Sequence, residues 1–303
     1  MILVTGATGF VGRHIVAELV AAGYRVRALV RPGSPQQQVL AGQPVEMVPG
    51  DVRDPESLAA AARGCRAVIH LVAIRREWRD RTFEAITARG AEHAVAAARA
   101  AGVERFVLMS ALGVTENPVT GYMKAKLRAE RAVQASGLPH VIFRASFIVG
   151  PGGFVEEYGQ LIRRAPVIPI PGSGRYPVQP VAVRDVAVAF RRALEVPAAD
   201  QIYDLAGPDR VSFAEFVGAI AQAMGVRKPM LRVPLAVMRP AAALLQRLTP
   251  NPPATLDELT MLAAGNVGDP GPMIRDLGLT LTPLAAAVRE AVDELRAAGR
   301  LGG

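Results

Sequence analysis

Three glycines, an arginine at a strand end and one Tyr–Lys pair are the residues of this 303-residue chain whose types and spacing suggest chemistry. Thr5-Gly6-Ala7-Thr8-Gly9-Phe10-Val11-Gly12 follows an apolar run, Ile2 to Thr5, and leads into an amphipathic stretch, His14 to Ala22. Gly6 permits a tight turn, and Gly9 lets the backbone approach a phosphate with no Cβ in the way. Gly12 lets a helix pack close to a strand. Thr8, Phe10 and Val11 sit between these glycines and belong to the same candidate site. A helix that starts here points free N–H groups and a partial positive charge at an anion. The glycine spacing alone also fits an ordinary strand-to-helix turn. Its place after a first strand and at a helix start is what indicates a dinucleotide pyrophosphate.

The second strand, Arg25 to Val30, ends at Arg31. A site for NAD places Asp or Glu there, about 20 residues past the glycines, to hold the ribose 2′-hydroxyl. No acid stands near Arg31, and a guanidinium suits a 2′-phosphate through charge-assisted, bidentate contacts. The expected cofactor is therefore NADPH rather than NADH. Asp51, in Gly50-Asp51-Val52, has two readings of equal weight: a hydrogen-bond acceptor for an adenine amino group, or a loop residue capping the turn into the next helix. Tyr122 and Lys126 lie four apart, on one face of a helix. An ammonium near a phenol lowers its pKa from about 10, which would prepare Tyr122 for proton transfer. The same spacing also fits a chance pair on a solvated face.

The elements that must position these residues alternate along the chain. Strands are expected at Val45 to Val48, Ala67 to Val72, Arg105 to Ser110 and His140 to Ala145. Helices are expected after Asp54, with Pro55 at the favoured first position, and over Thr82 to Ala101 and Gly121 to Ser136. That alternation specifies an α/β fold: a Rossmann-type, doubly wound parallel sheet covered by helices. Residues 1–150 form the expected cofactor-binding core, rejoined by 181–206 through a helix from Arg184 and a strand Gln201 to Leu205. Residues 151–180 and 207–303 form a smaller, mostly helical substrate part. There Ser212 and Glu215 make a capping box, and further helices are expected from Leu235, near Leu256 and from Pro283 to Ala298. Phe154, Tyr158, Arg175 and Tyr176 are candidates to shape a substrate pocket.

Composition narrows the classes. The net charge of +8 is carried almost wholly by arginine, since Lys124, Lys126 and Lys228 are the only lysines. The arginines are dispersed, so no nucleic-acid partner is expected. One cysteine, Cys65, excludes an internal disulfide, and four scattered histidines suggest no metal site. No leader and no membrane span of about 18 apolar residues is visible, so a cytoplasmic protein is expected. The Arg-punctuated apolar segment Leu235 to Leu248 is a candidate peripheral membrane or protein-complex contact, although packing on its own domain is the commoner use of such a helix.

Together these segments resemble the short-chain dehydrogenase/reductase superfamily in its extended and atypical branches. The glycine turn, Gly50-Asp51-Val52, His70-Leu71-Val72-Ala73 and Tyr122-x-x-x-Lys126 carry the likeness, with Gly150-Pro151-Gly152 and Pro180 to Ala187 further on. Thr255 to Leu259, Asn266-Val267 and Leu281 to Leu284 are similar to the branch of the nucleotide-binding accessory subunit of respiratory complex I. The resemblance implies that Leu71, Val72 and Ala73 line the adenosine side of the cofactor and that Asp51 and Val52 meet the adenine. It makes Tyr122 the proton carrier, Lys126 a holder of the nicotinamide ribose, and Ser110 a hydroxyl that polarises the substrate. Ala111 stands where a second serine is usual, and Thr87 where a relay asparagine is. Two readings follow. One is an NADPH-dependent oxidoreductase, or an epimerase or reductase, acting on a carbonyl or hydroxyl of an unnamed small molecule. The other is an NADPH-binding subunit or sensor with little turnover.

Overall fold

The computed structural model describes residues 1–197 and 200–301. Residues 198–199 and 302–303, which fall within the ranges 181–206 and 207–303 read above, lie outside the described residues.

β1 (Ile2–Thr5) is buried at every position, as a central parallel strand must be. α1 (Phe10–Ala21) starts earlier than the apolar pattern suggests, because Gly9 adopts the extended N-cap conformation. β2 (Val26–Val30) and β3 (Val45–Pro49) follow, and β3 is the exposed edge of the sheet. α2 (Pro55–Ala62) is capped by Asp54, whose carboxylate accepts from Glu56 N–H. β4 (Ala67–His70) stops two residues before the expected Val72: Leu71 N–H still donates to Thr5 carbonyl at 3.2 Å, and the chain then leaves the ladder.

The helix expected over Thr82 to Ala101 divides into two parts. A π-helical turn, Phe83–Ala88, precedes α3 (Arg89–Ala100). β5 (Arg105–Ala111), α4 (Gly121–Gln134) and β6 (His140–Ala145) complete the run, with Thr120 capping α4 through Met123 N–H at 3.2 Å. The seven-stranded sheet has the order Gln201–Leu205, β6, β5, β4, β1, β2, β3. The pairs β5–β4, β4–β1, β1–β2 and β2–β3 are parallel.

The chain divides into two compact units. The first comprises Met1–Arg144, Arg184–Asp204 and Gly271–Leu279. Its boundary falls at Arg144 rather than 150, and the helix Gly271–Leu277 belongs to it. Two features fasten that helix: the Tyr203 hydroxyl donates to Asp276 at 2.9 Å, and Met273 and Leu277 are buried. Beneath α2, α3 and α4 lies a core that includes Leu58, Ala94, Phe106 and Ile142.

The second unit, Ala145–Val183, Leu205–Pro270 and Thr280–Gly303, has its own core of Val155, Ile162, Phe216, Ile220, Val288 and Val292 among others. Its helices Phe213–Ala223 and Leu256–Ala264 both begin with complete capping boxes, Ser212 with Glu215 and Thr255 with Glu258. The final helix is Leu284–Ala297. Phe154 and Tyr158 belong to an aromatic cluster with Phe147, Phe213 and Phe216, and the Tyr158 hydroxyl donates to Pro169 carbonyl. Their rings contribute to that packing.

Candidate functional site

At the glycine turn, the lack of side chains is what the geometry uses. Gly6 has φ +78°, and a Cβ on it would meet Leu71 and Val72 at 3.3 Å. A Cβ on Gly12 would lie 2.1 Å from the Gly6 carbonyl oxygen and 2.9 Å from Ala7 backbone, a distance no neighbour can relieve. Gly9 N–H donates to the Gly6 carbonyl at 3.0 Å, closing the turn. Gly9 supplies no side-chain cap and the first turn of α1 has no acid. The leading N–H groups of α1 are therefore left for an outside anion, which fits a pyrophosphate. Thr8, Phe10 and Val11 are half-buried around this end. The Arg13 guanidinium lies 5.9 Å from the centre of the Phe10 ring.

The adenosine-side candidates gather beside it. Leu71, Val72 and Ala73 are half-buried, and the first two abut Gly6. Val52 is buried, with its carbonyl 2.9 Å from His93 Nδ1 and its side chain filling the space that Gly90 leaves on α3. Asp51 is already engaged. Its carboxylate accepts from Arg53 N–H at 2.9 Å and pairs with the Arg53 guanidinium at 2.9 and 3.1 Å. These bonds hold the Asp51 carboxyl below its usual range, with a smaller contribution from the charge of Arg31. Of the two readings of Asp51, the local one is seen as the bond from Arg53 N–H, which closes the turn ahead of α2. Arg31 is exposed just after β2; its carbonyl accepts from Ser34 N–H at 3.2 Å and Gln37 Nε2 at 3.1 Å, while its guanidinium makes no hydrogen bond or ion pair among the described residues.

His70, at the end of β4, is 1% exposed. Its Nδ1 lies 2.9 Å from the Thr5 hydroxyl, and its Nε2 is buried with no partner among the described residues. Desolvation, and then the charge of Lys126, push its pKa down to about 3, so the ring is neutral.

Tyr122 and Lys126 occupy the first turns of α4 on one face, with the Lys126 Nζ 5.8 Å from the Tyr122 ring centre. Tyr122 also packs edge-on against Phe83, 5.8 Å between ring centres. The expectation that Lys126 lowers the phenol's pKa is overturned. Desolvation pushes Tyr122 up to about 12, and the cation that opposes this is Arg75. The reason is burial, which disfavours the phenolate, while Lys126 Nζ is engaged by the Met109 carbonyl at 2.8 Å. Burial pushes Lys126 itself down to about 8, and the nearby charge of Glu130 opposes that fall.

Ser110 is committed elsewhere. Its hydroxyl donates to Glu130 at 2.5 Å, and Glu130 is clamped by Arg144 at 2.7 and 3.1 Å. Glu130 is 1% exposed, so this is a buried ion pair completed by a hydroxyl. The structure brings Tyr122 and Lys126 together but directs the Ser110 hydroxyl to this pair. Thr87, in the π-helical turn, accepts from Ile74 N–H at 3.3 Å and so holds the segment after β4. Glu130 and Arg144 were missed by residue reasoning. The signal was the spacing, because Tyr122, Lys126 and Glu130 recur every four residues on one face.

A family model described as NAD(P)H-binding matches residues 6–157. The chain is 35% identical over 239 residues to a ceramide reductase of Caulobacter vibrioides (strain NA1000 / CB15N), covering 77% of this chain and 74% of that protein. It is 32% identical over 215 residues to mitochondrial NADH dehydrogenase (ubiquinone) 1 alpha subcomplex subunit 9 of Arabidopsis thaliana. That match covers 68% of this chain and 53% of the subunit, so the chain spans about half the subunit's length. Among solved structures, the crystal structure of gox2253 is similar with a TM-score of 0.79 and 27% identity, covering 100% of this chain and 99% of that one.

Proposed function

The chain belongs to the NAD(P)H-binding family of short-chain dehydrogenase/reductase type, and from that premise we propose an NADPH-dependent reductase whose Tyr122 gives a proton to a substrate carbonyl oxygen. The observation that carries this reading is geometric: Tyr122 and the buried Lys126 share one face of α4, with Nζ 5.8 Å from the ring centre, in a chain whose glycine turn leaves helix N–H groups for an anion. Bound NADPH supplies the hydride that reduces the carbonyl carbon. Tyr122 then gives its O–H proton to the carbonyl oxygen, and the charge of Arg75 favours the phenolate left behind. Lys126, fixed by the Met109 carbonyl, sits where its ammonium can be recruited to a ribose hydroxyl. Arg31 supports the 2′-phosphate, since its guanidinium is uncommitted while Asp51 is paired with Arg53. A second reading, cofactor binding with little turnover, draws on the Ser110 hydroxyl being spent on Glu130.

To test the first reading, nucleotide is extracted from the purified protein and identified, and NADPH oxidation is followed with lipophilic ketones and nucleotide sugars. Tyr122→Phe is expected to cut turnover by roughly 10²–10⁴-fold while leaving NADPH affinity within about twofold. Turnover that survives in that variant removes Tyr122 from the chemistry. Absence of turnover in the unaltered protein, with NADPH still bound, selects the second reading.

A further inference from the structure

Residues 216–256 of the second unit contain Arg227, Lys228, Arg232, Arg239 and Arg247 and no aspartate or glutamate. Lys228 is used inside the fold: its Nζ donates to the carbonyls of Ile162, Arg163 and Ala165, closing the end of the helix Gly153–Arg164. The four arginines are exposed, and their guanidiniums make no hydrogen bond or ion pair among the described residues.

Two of these arginines, Arg232 and Arg247, flank apolar surface, while Arg239 falls on the side of Leu235, Ala242 and Gln246. The strand Met230–Val233 leads through Pro234 into the helix Leu235–Leu248. Ala242 is the only residue of that helix that is buried, and Leu235, Met238 and Gln246 flank it half-buried. Those positions fix which side the helix presents to its own unit. Val237, Ala241, Leu244 and Leu248 fall on the opposite side, at spacings of four, three and four. Val237, Leu244 and Leu248 are 62%, 59% and 68% exposed. Met230 and Leu231 add exposed apolar side chains on the strand that leads in. A helix that only packs on its own domain shows polar residues outward. This one shows a second apolar stripe.

We propose that the segment Met230–Leu248 docks on an anionic lipid surface, with Val237, Leu244 and Leu248 in the headgroup–acyl boundary and Arg232 and Arg247 on lipid phosphates. Charge decides between occupants. A second copy, pairing this patch with itself about a two-fold axis, would set arginine against arginine with no carboxylate to offset them. An apolar protein groove would leave the guanidiniums unanswered. A bilayer surface rich in phosphate meets both the stripe and its cationic flanks. No helix among the described residues is long and apolar enough to cross a membrane, so the contact is peripheral.

The test is independent of any catalytic assignment. The full chain is sedimented with vesicles of phosphatidylcholine alone and of phosphatidylcholine mixed with phosphatidylglycerol. Binding is expected on the mixed vesicles only, and it is expected to fall away near 1 M salt, where screening shortens to about 3 Å. Leu244→Glu, at an exposed position, is expected to abolish sedimentation with an unchanged melting temperature. Arg247→Gln is expected to weaken binding about fivefold, and Arg239→Gln, on the other side of the helix, to leave it unchanged. Equal binding to both vesicle types, or none to the mixed ones, overturns the proposal. So does a dimer that Leu244→Glu dissolves, which would assign the stripe to a second copy.

Discussion

The glycine turn and the first turns of α4 both belong to the first unit, yet they are held ready in opposite ways. At the turn, readiness comes from what is missing: no Cβ on Gly12, no side-chain cap at Gly9, and no hydrogen bond on the Arg31 guanidinium among the described residues. At α4, several key polar groups already have a partner inside the protein. Lys126 holds the Met109 carbonyl, Ser110 holds Glu130, and Thr87 holds Ile74 N–H. The first region can accept a ligand as it stands. The second must exchange internal bonds for ligand bonds, so its chemistry depends on how strongly those internal bonds compete.

The sharpest way to break this contrast is to empty the α4 side. Glu130→Gln leaves the Arg144 guanidinium without its carboxylate, and breaking a buried pair costs about 3–5 kcal/mol. Urea denaturation should register that loss, discounted because Arg144 is partly solvated, and NADPH affinity should hold where the variant remains folded. A loss of affinity without a loss of stability would join the two regions that are described here as separate. Next in size is Gly12→Ala, which fills space that the turn keeps open. Overpacking of this kind costs about 1–3 kcal/mol, and NADPH affinity measured by calorimetry should drop roughly a hundredfold or more as the turn shifts. An alanine variant that binds normally would show that the close approach of α1 to the Gly6 carbonyl is dispensable.

A smaller effect of about the same order should come from His70, which lies between the regions. Its folded pKa of about 3 is below the 6.5 of the free side chain, so in acid the unfolded chain takes up a proton that the folded chain refuses. The contribution is fully present above pH 6.5 and is lost as pH falls toward 3. By about pH 4.5 it amounts to roughly 2–3 kcal/mol. Comparing denaturation at neutral and acid pH, the His70→Asn variant should show a shallower acid loss than the unaltered chain; identical slopes would remove His70 as a source. The smallest expected change is in Arg31→Ala. NADPH should bind about tenfold more weakly while NADH is nearly unaffected, and equal losses for both would reject the 2′-phosphate reading.

Residue chemistry made the turn legible because glycine there is a steric requirement, and steric requirements show in the letters themselves. The sheet was legible for a similar reason: fully apolar runs such as Ile2–Val4 and Ala67–Ile69 have no other comfortable place. The Ser110–Glu130–Arg144 group was not legible. A glutamate four residues past a lysine on a helix reads as a solvated pair, and nothing local says that β5 and β6 bury it. The sign of the Tyr122 shift was hidden too, since a spacing of four places Lys126 near the residue without saying how far burial disfavours the phenolate. The apolar pattern of Leu235–Leu248 looked core-facing because two stripes, one inward and one outward, give the same count of apolar letters as one broad stripe.

The π-helical turn at Phe83–Ala88 has a consequence in arithmetic rather than chemistry. Its turn carries one residue more than an α-helical turn, and that surplus is taken up between Phe83 and the buried alanines of α3. Deleting one residue within 83–88 would let the segment close into regular α-helix with the groups before and after it still nearly in phase, whereas the same deletion inside α3 would rotate its two ends against each other by about 100°. The segment is therefore a slack count on the way to the Tyr122 face, a place where a residue can be lost without a change of register.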